Sequence, residues 1–254
     1  MVFLPNVLLE LISGYADENE LLPWVEKNQE MIYWSELSGN PAAIQLLEKN
    51  PEKINWWRLS FNPAAIHLLE NNPEKIDWWM LSKNPAAIHL LEAEIANAER
   101  EKNQEKIDWD YLSGNQGAIH LLEKNPEKID WRNLSMNPSA INLLEKNPDK
   151  ISWIFLSKNP AAIHLLEDEI SNAERENRPE KISWEWLSEN PAAIHLLEKN
   201  QEKIVWYWLS GNPSAIHLLE KNPEKIDLSG LSKNPAIFKS TKIKIYKSLY
   251  EIQN

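Results

Sequence analysis

Between Asp130 and Ser152 the apolar residues fall into two groups, each at helical spacing. Trp131 and Leu134 are three apart and share one face of a short helix. Asp130 can open that helix by accepting from the unpaired N–H groups of its first turn. Asn137 and Pro138 then start a second helix over residues 139–146: asparagine caps it, and a proline in its first turn gives up only an N–H that had no partner. On this helix Ala140 and Leu144 lie four apart, Ser139 and Leu143 lie four apart, and Ile141 meets Leu144. Most of its circumference is therefore apolar, and it is expected to be the buried, inner helix. Asn147 and Pro148 end it, because the residue before proline avoids the helical region. The following three residues are expected to make a turn that drops Ile151 into the gap before the next cap. One unit is thus helix, tight corner, helix, turn.

This unit repeats. The phrase LSKNPAAIHLLE at Leu156 to Glu167 recurs with its Leu-Ser at Leu37, Leu59, Leu81, Leu112, Leu134, Leu156, Leu187, Leu209 and Leu231, mostly 22 residues apart and twice 31. Eight units begin at Trp34, Trp56, Trp78, Trp109, Trp131, Trp153, Trp184 and Trp206. A fixed period of this size marks an architecture whose small unit must stack on its neighbours to bury an apolar face. The fold expected is an all-α solenoid of helix-turn-helix repeats: capping helices over 1–33, eight units over 34–227, and a basic cap over 228–254. Two short helices are marginal alone, so stability is expected from stacked Trp, Leu and Ile positions, and truncating a buried Trp131 to Ala would cost ~3–5 kcal/mol. The two longer units extend the second helix from Glu92 and from Glu167, along the stripes Leu91, Ile95, Ala98 and Leu166, Ile170, Ala173. Each extension adds ~13 Å of helix. Their starts are 75 residues apart, which points to a duplicated block of three units.

Charge and composition narrow the function. Hydrophobic content of 43% and charged content of 26% suit a folded domain and exclude a disordered chain. Cysteine is absent, so disulfide and thiolate chemistry are excluded and an intracellular, non-secreted setting is expected. No run approaches the ~20 apolar residues that span a bilayer, so no membrane partner is expected. Net charge is -11, while residues 228–254 hold five lysines against Glu251, so residues 1–227 carry all of the excess acid. An acidic body repels a phosphate backbone, and no nucleic-acid partner is expected. The lysine-rich end reads as a solvated cap or as a dock for an acidic partner.

Catalytic chemistry finds no footing. The Leu-Ser serine recurs in every unit, which suits a helix end and not a nucleophile that needs its own base and oxyanion donor. The Glu-Lys pairs read as solvated charge, and no Gly-rich phosphate loop exists among six glycines. His67, His89, His120, His164, His195 and His217 occupy one unit position, with Gln45 and Asn142 filling it elsewhere. Helices packed ~8–10 Å apart would space them as a surface ladder and not as a tetrahedral metal cluster. Each is expected to pair with the glutamate three residues on, as His195 with Glu198. No catalytic, cofactor or metal site is expected, and nothing sets an oligomeric state.

The most variable positions are the two that follow each unit's first Trp, and several hold large aromatics that the stack does not require. Trp57, Trp79, Tyr111, Phe155, Trp186, Tyr207 and Trp208 read either as a protein-binding ridge or as overlap between adjacent first helices.

The string LSxNPAAIHLLEKNPEKIDW resembles the tryptophan-containing repeats of giant, nucleocytoplasmic large DNA viruses, over residues 34–227. Helix, corner, a helix bearing I-x-L-L-E, and a return are also similar to ankyrin repeats without their β-hairpin. The resemblance implies a non-catalytic scaffold for protein partners, viral capsid or host proteins, in host cytoplasm or virion. LPNVLLELISGY at the start is similar to the opening of an F-box, which implies instead a ubiquitin-ligase substrate adaptor with the repeats holding substrate.

Overall fold

A computed structural model describes residues 32–237. The expected N-terminal cap, the F-box-like opening, and the lysine-rich end past Ile237 lie outside those residues. The chain forms two compact units, Met1–Lys128 and Ile129–Asn254, each treated below by itself. The described residues are all-α, with seventeen short helices in repeated helix-turn-helix order and no strand among them.

Local chemistry accounts for each element. First helices such as Trp56–Phe61, Trp78–Leu81, Trp131–Met136 and Leu228–Leu231 begin after a residue whose side-chain oxygen accepts from the N–H three residues on. The distances run from 2.7 Å at Asp130 to 3.0 Å at Asn55. The corner asparagine then turns the chain: Asn62 Oδ1 accepts from Ala64 N at 3.1 Å, and Asn137 Oδ1 from Ser139 N at 3.0 Å. Proline follows, and the first turn is a 3-10 turn, Pro63–Ala65 or Pro138–Ala140, before the α-helix proper at Ile66–Glu70 or Ile141–Glu145. The second asparagine closes that helix with its side chain, Asn72 Nδ2 donating to Leu68 O and Asn147 Nδ2 to Leu143 O, at 2.9 and 2.8 Å. A further 3-10 turn, such as Pro148–Lys150, and an extended isoleucine lead to the next cap.

The core is carried by leucine and alanine. Repeats after the first, through the one beginning at Trp206, bury the Leu of Leu-Ser, the last Ala before the second helix and the second Leu of Leu-Leu: Leu59, Ala65 and Leu69 are completely covered, as are Leu134, Ala140 and Leu144, whereas Leu37 is half-buried. At about 1.5–3 kcal/mol per buried leucine these positions supply most of the apolar stabilisation. The second helix is less buried than its pattern suggested, for Ser139 is exposed and Ile141 and Leu143 are half-buried. Trp131 is half-buried too, which lowers the expected cost of Trp131→Ala to about 1–3 kcal/mol. Elsewhere the Lys that closes the same repeat, itself exposed as the sequence suggested, lies over the ring of the first Trp. Lys53 Nζ lies 4.3 Å from the Trp34 ring centre, Lys75 4.7 Å from Trp56, and Lys225 4.9 Å from Trp206. An ammonium over an indole face is attracted by the ring quadrupole.

Polar ladders join repeat to repeat. In the first unit Ser38, Ser60 and Ser82 are fully buried. Each donates back to a tryptophan carbonyl at 2.8 Å and accepts the cap N–H of the next repeat, from Asn55, Asp77 and Asp108, at 2.9–3.0 Å. Beside this runs a column of buried corner asparagines. Asn84 Nδ2 donates to Ser60 O at 3.0 Å and Asn62 O at 3.1 Å, and Asn115 Nδ2 to Ser82 O and Asn84 O at 3.0 and 3.1 Å. In the second unit Asn159, Asn190 and Asn234 do the same. One amide thus caps its own helix with its oxygen and holds the preceding repeat with its nitrogen, which satisfies corner groups that burial would otherwise strand.

The two long helices, Ile88–Glu101 and Ile163–Glu176, span fourteen residues each. Their buried faces include a carboxylate that the apolar stripe did not anticipate: Leu91, Glu94 and Ala98 in one, Leu166, Glu169, Ile170 and Ala173 in the other, with Ile95 only half-buried. The returning chain explains it. Glu169 accepts from Arg178 Nη1 at 2.6 Å, Arg178 Nη2 at 3.0 Å and Lys181 N at 3.1 Å, and this bidentate pair holds its carboxyl below the usual range. Glu94 accepts from Lys106 N at 3.3 Å, with Lys106 Nζ at 3.7 Å. Both helices end on a left-handed residue, Lys102 at φ 55° and Asn177 at φ 50°. The next N–H then reaches back to Ala98 O or Ala173 O, which closes the helix end.

Candidate protein-binding surface

The first helices of successive repeats pack side by side within each unit, which sets the residues after each Trp in a row on the outer side. In the first unit the row is an unbroken run of rings. Trp57 and Trp79 lie with centres 6.4 Å apart, and Trp79 meets Tyr111 edge-on at 4.9 Å. Trp57 and Trp79 nevertheless stay 40% and 44% exposed, while Tyr111 is half-buried. Phe61, four residues beyond Trp57 on the same helix and 45% exposed, extends this face and was missed. Its signal was the helical four-residue spacing from Trp57.

In the second unit Phe155 and Trp186, both half-buried, meet edge-on at 5.5 Å. Tyr207 and Trp208 meet at 5.1 Å and are each 39% exposed. Ile154 stands beside Phe155 and is exposed. All seven residues therefore lie on first helices, and each contacts the ring of another of the set in its own unit: Trp57 with Trp79, Trp79 with Tyr111, Phe155 with Trp186, and Tyr207 with Trp208. Overlap between neighbouring repeats and an exposed aromatic face coexist in the same rings.

Cations sit on these rings. Arg58 Cζ is 5.2 Å from the Trp57 ring centre, and its Nη2 donates to Glu36 Oε1 at 2.6 Å. Lys83 Nζ lies 3.5 Å from the Tyr111 ring centre and 5.1 Å from Trp79. Lys158 Nζ is 4.8 Å from Trp186 and pairs with Glu189 at 3.1 Å. Lys233 Nζ lies 5.7 Å from the Tyr207 ring. Lys83 and Lys158 were not singled out from the sequence, because each acts on a ring in the following repeat, out of reach of a periodicity argument.

The histidine row is a ladder whose rungs differ from the expected ones. His195 Nε2 lies 2.8 Å from Glu167 and not beside Glu198, which belongs to His217 at 2.9 Å. His67, His89, His120 and His164 likewise reach Glu48, Glu70, Glu92 and Glu145 at 2.7–2.9 Å. Each partner lies on the second helix of the preceding repeat, because stacked helices bring that carboxylate closer than the glutamate one turn along. The row is about half exposed, and such pairs contribute little individually. Among the described residues no group of three or more His, Asp or Glu side chains converges as a metal site would require. No described helix is long and apolar enough to cross a membrane.

No family model, no curated protein and no solved structure matches the chain.

Proposed function

We propose that the chain is a non-catalytic repeat scaffold that holds other proteins on the outer side of its first helices. The observation that carries this reading is the exposure, near two-fifths, of Trp57, Trp79, Tyr207 and Trp208 above a leucine–alanine core that is closed without them. Large aromatics supply contact area at low entropic cost and are the commonest anchors of protein interfaces. Ring-on-ring packing and overlying cations hold these side chains in place before a partner arrives, which reduces the ordering cost of binding. The resemblance to giant-virus repeats supports a viral structural protein or a host factor as partner, in host cytoplasm or virion.

Trp79→Ser and Trp208→Ser test the proposal against a purely structural role. Melting should stay close to that of the parent chain while capture of partners, quantified by mass spectrometry from producing cells, is lost. A large fall in stability, or undiminished capture, would overturn it.

A further inference from the structure

Resting on that reading, we infer that the aromatic surface of the first unit takes a protein segment presenting a carboxylate flanked by apolar side chains, with Lys83 as its counter-charge. The two units provide the comparison. Their long repeats are offset by 75 residues, so Lys83 corresponds to Lys158, Tyr111 to Trp186 and Gly114 to Glu189. In the second unit Lys158 lies over Trp186 and is neutralised by Glu189 at 3.1 Å. In the first unit Lys83 keeps its place over a ring, 3.5 Å from the Tyr111 centre, but the residue that would carry the carboxylate is Gly114. The first unit thus holds the lysine half of an ion pair whose acid half the second unit supplies from its own chain.

The surroundings specify what completes it. Trp57, Phe61 and Trp79, each at least two-fifths exposed, lie on the same outer side as Lys83, so the incoming carboxylate needs apolar neighbours. Of the acids there, Glu36 is engaged by Arg58 at 2.6 Å, and Asp110 precedes Tyr111 without pairing with Lys83 among the described residues. An ammonium lodged against two rings is partly desolvated, where a carboxylate gains more than it would in open water. A polyanion is disfavoured: a lone lysine over two rings, on a chain of net charge -11, offers no track for a phosphate backbone.

Short synthetic peptides test this on the full chain by fluorescence anisotropy, with Leu and Phe flanking Glu, Gln or Lys. The Glu peptide should bind roughly tenfold tighter than the other two, and the preference should shrink at high salt. Lys83→Glu should abolish or reverse the preference. Gly114→Glu, which installs the acid of the second unit, should weaken the Glu peptide by a similar factor while leaving the unfolding midpoint unchanged. Gly114 has an ordinary right-handed backbone at φ -82°, so a side chain there is unstrained. Equal binding of all three peptides, each weakened by Trp79→Ser, would sink the carboxylate assignment and leave the aromatic surface standing. Peptides that bind wild type and Trp79→Ser alike would sink both. A labelled oligonucleotide bound more tightly than the Glu peptide, and dependent on Lys83, would replace the acidic segment with a polyanion and overturn the inference.

Discussion

Replacing Asn84 by Asp separates two roles that one amide plays. Aspartate caps a helix as well as asparagine does, so if capping were the whole function the change would be nearly silent. Asn84 is fully buried, and its Nδ2 donates to Ser60 O at 3.0 Å and Asn62 O at 3.1 Å while its Oδ1 accepts from Ala86 N at 3.0 Å. Asn84→Asp keeps the last bond, removes the other two, and sets a carboxylate oxygen against two carbonyl oxygens. Two lost bonds are worth about 1 kcal/mol each, and the stranded buried carbonyls and charge add a further 1–3 kcal/mol. The total, about 3–5 kcal/mol, is a large share of the stability of an ordinary domain. Asn40 is the control: it is exposed, its Oδ1 accepts from Ala42 N at 3.0 Å, and Asn40→Asp should change stability by less than about 0.5 kcal/mol. Urea unfolding followed by far-UV circular dichroism reads both. An Asn84→Asp variant as stable as Asn40→Asp would refute the reasoning.

Three further substitutions probe other joints. Lys102 holds a left-handed backbone at φ 55°, so Lys102→Gly should raise stability by about 1 kcal/mol, with a smaller gain for Asn177→Gly, because asparagine tolerates that region better. A Cβ at Gly230 would lie 2.4 Å from Tyr207 O, so Gly230→Ala should cost about 1–3 kcal/mol; at Gly211 the nearest atom would be 3.5 Å away, and Gly211→Ala should be close to neutral in the same thermal melts. The folded Glu169 titrates below the usual carboxylate range because Arg178 binds it. Its contribution, on the order of 1–3 kcal/mol, should therefore be complete above the ordinary glutamate pKa and lost as pH falls through that range toward its folded value. Glu169→Gln should be less stable at neutral pH and should lose this part of the acid sensitivity; an unchanged pH profile would argue against the ion pair.

Repeat order, helix class, caps and corners were legible because each depends on residues a few positions apart. Asp130 before Trp131, Asn137 before Pro138 and Asn147 before Pro148 act on their own backbone, and a linear reading finds them. What escaped it acts across repeats. Asn84 shows its capping oxygen to its own helix and its donors to a chain segment 22 and 24 residues earlier. The same blindness misassigned His195, whose partner Glu167 lies 28 residues back. Glu169 was left out of the stripe Leu166, Ile170, Ala173 because the Arg178 that justifies its burial comes from the return of the loop. Stacking was expected to rest on Trp, Leu and Ile positions, whereas the completely covered apolar side chains belong to Leu and Ala, and Trp131 is half-buried. The seven aromatics of the proposed binding surface could be named from their excess over what stacking requires, but not their ring contacts or the cations lying on them.

Residue-resolved amide hydrogen exchange tests most directly that the serine ladder joins one repeat to the next. The N–H groups of Asn55, Asp77, Asp108, Ser152, Val205 and Asp227 precede their helices and have no helical acceptor; each donates instead to the serine Oγ of the preceding repeat, at 2.9–3.1 Å. These six amides should exchange far more slowly than those of the exposed glutamates Glu52, Glu74 and Glu224 in the neighbouring turns. Exchange of the six as fast as those turn amides would mean that the repeats are not joined in this way.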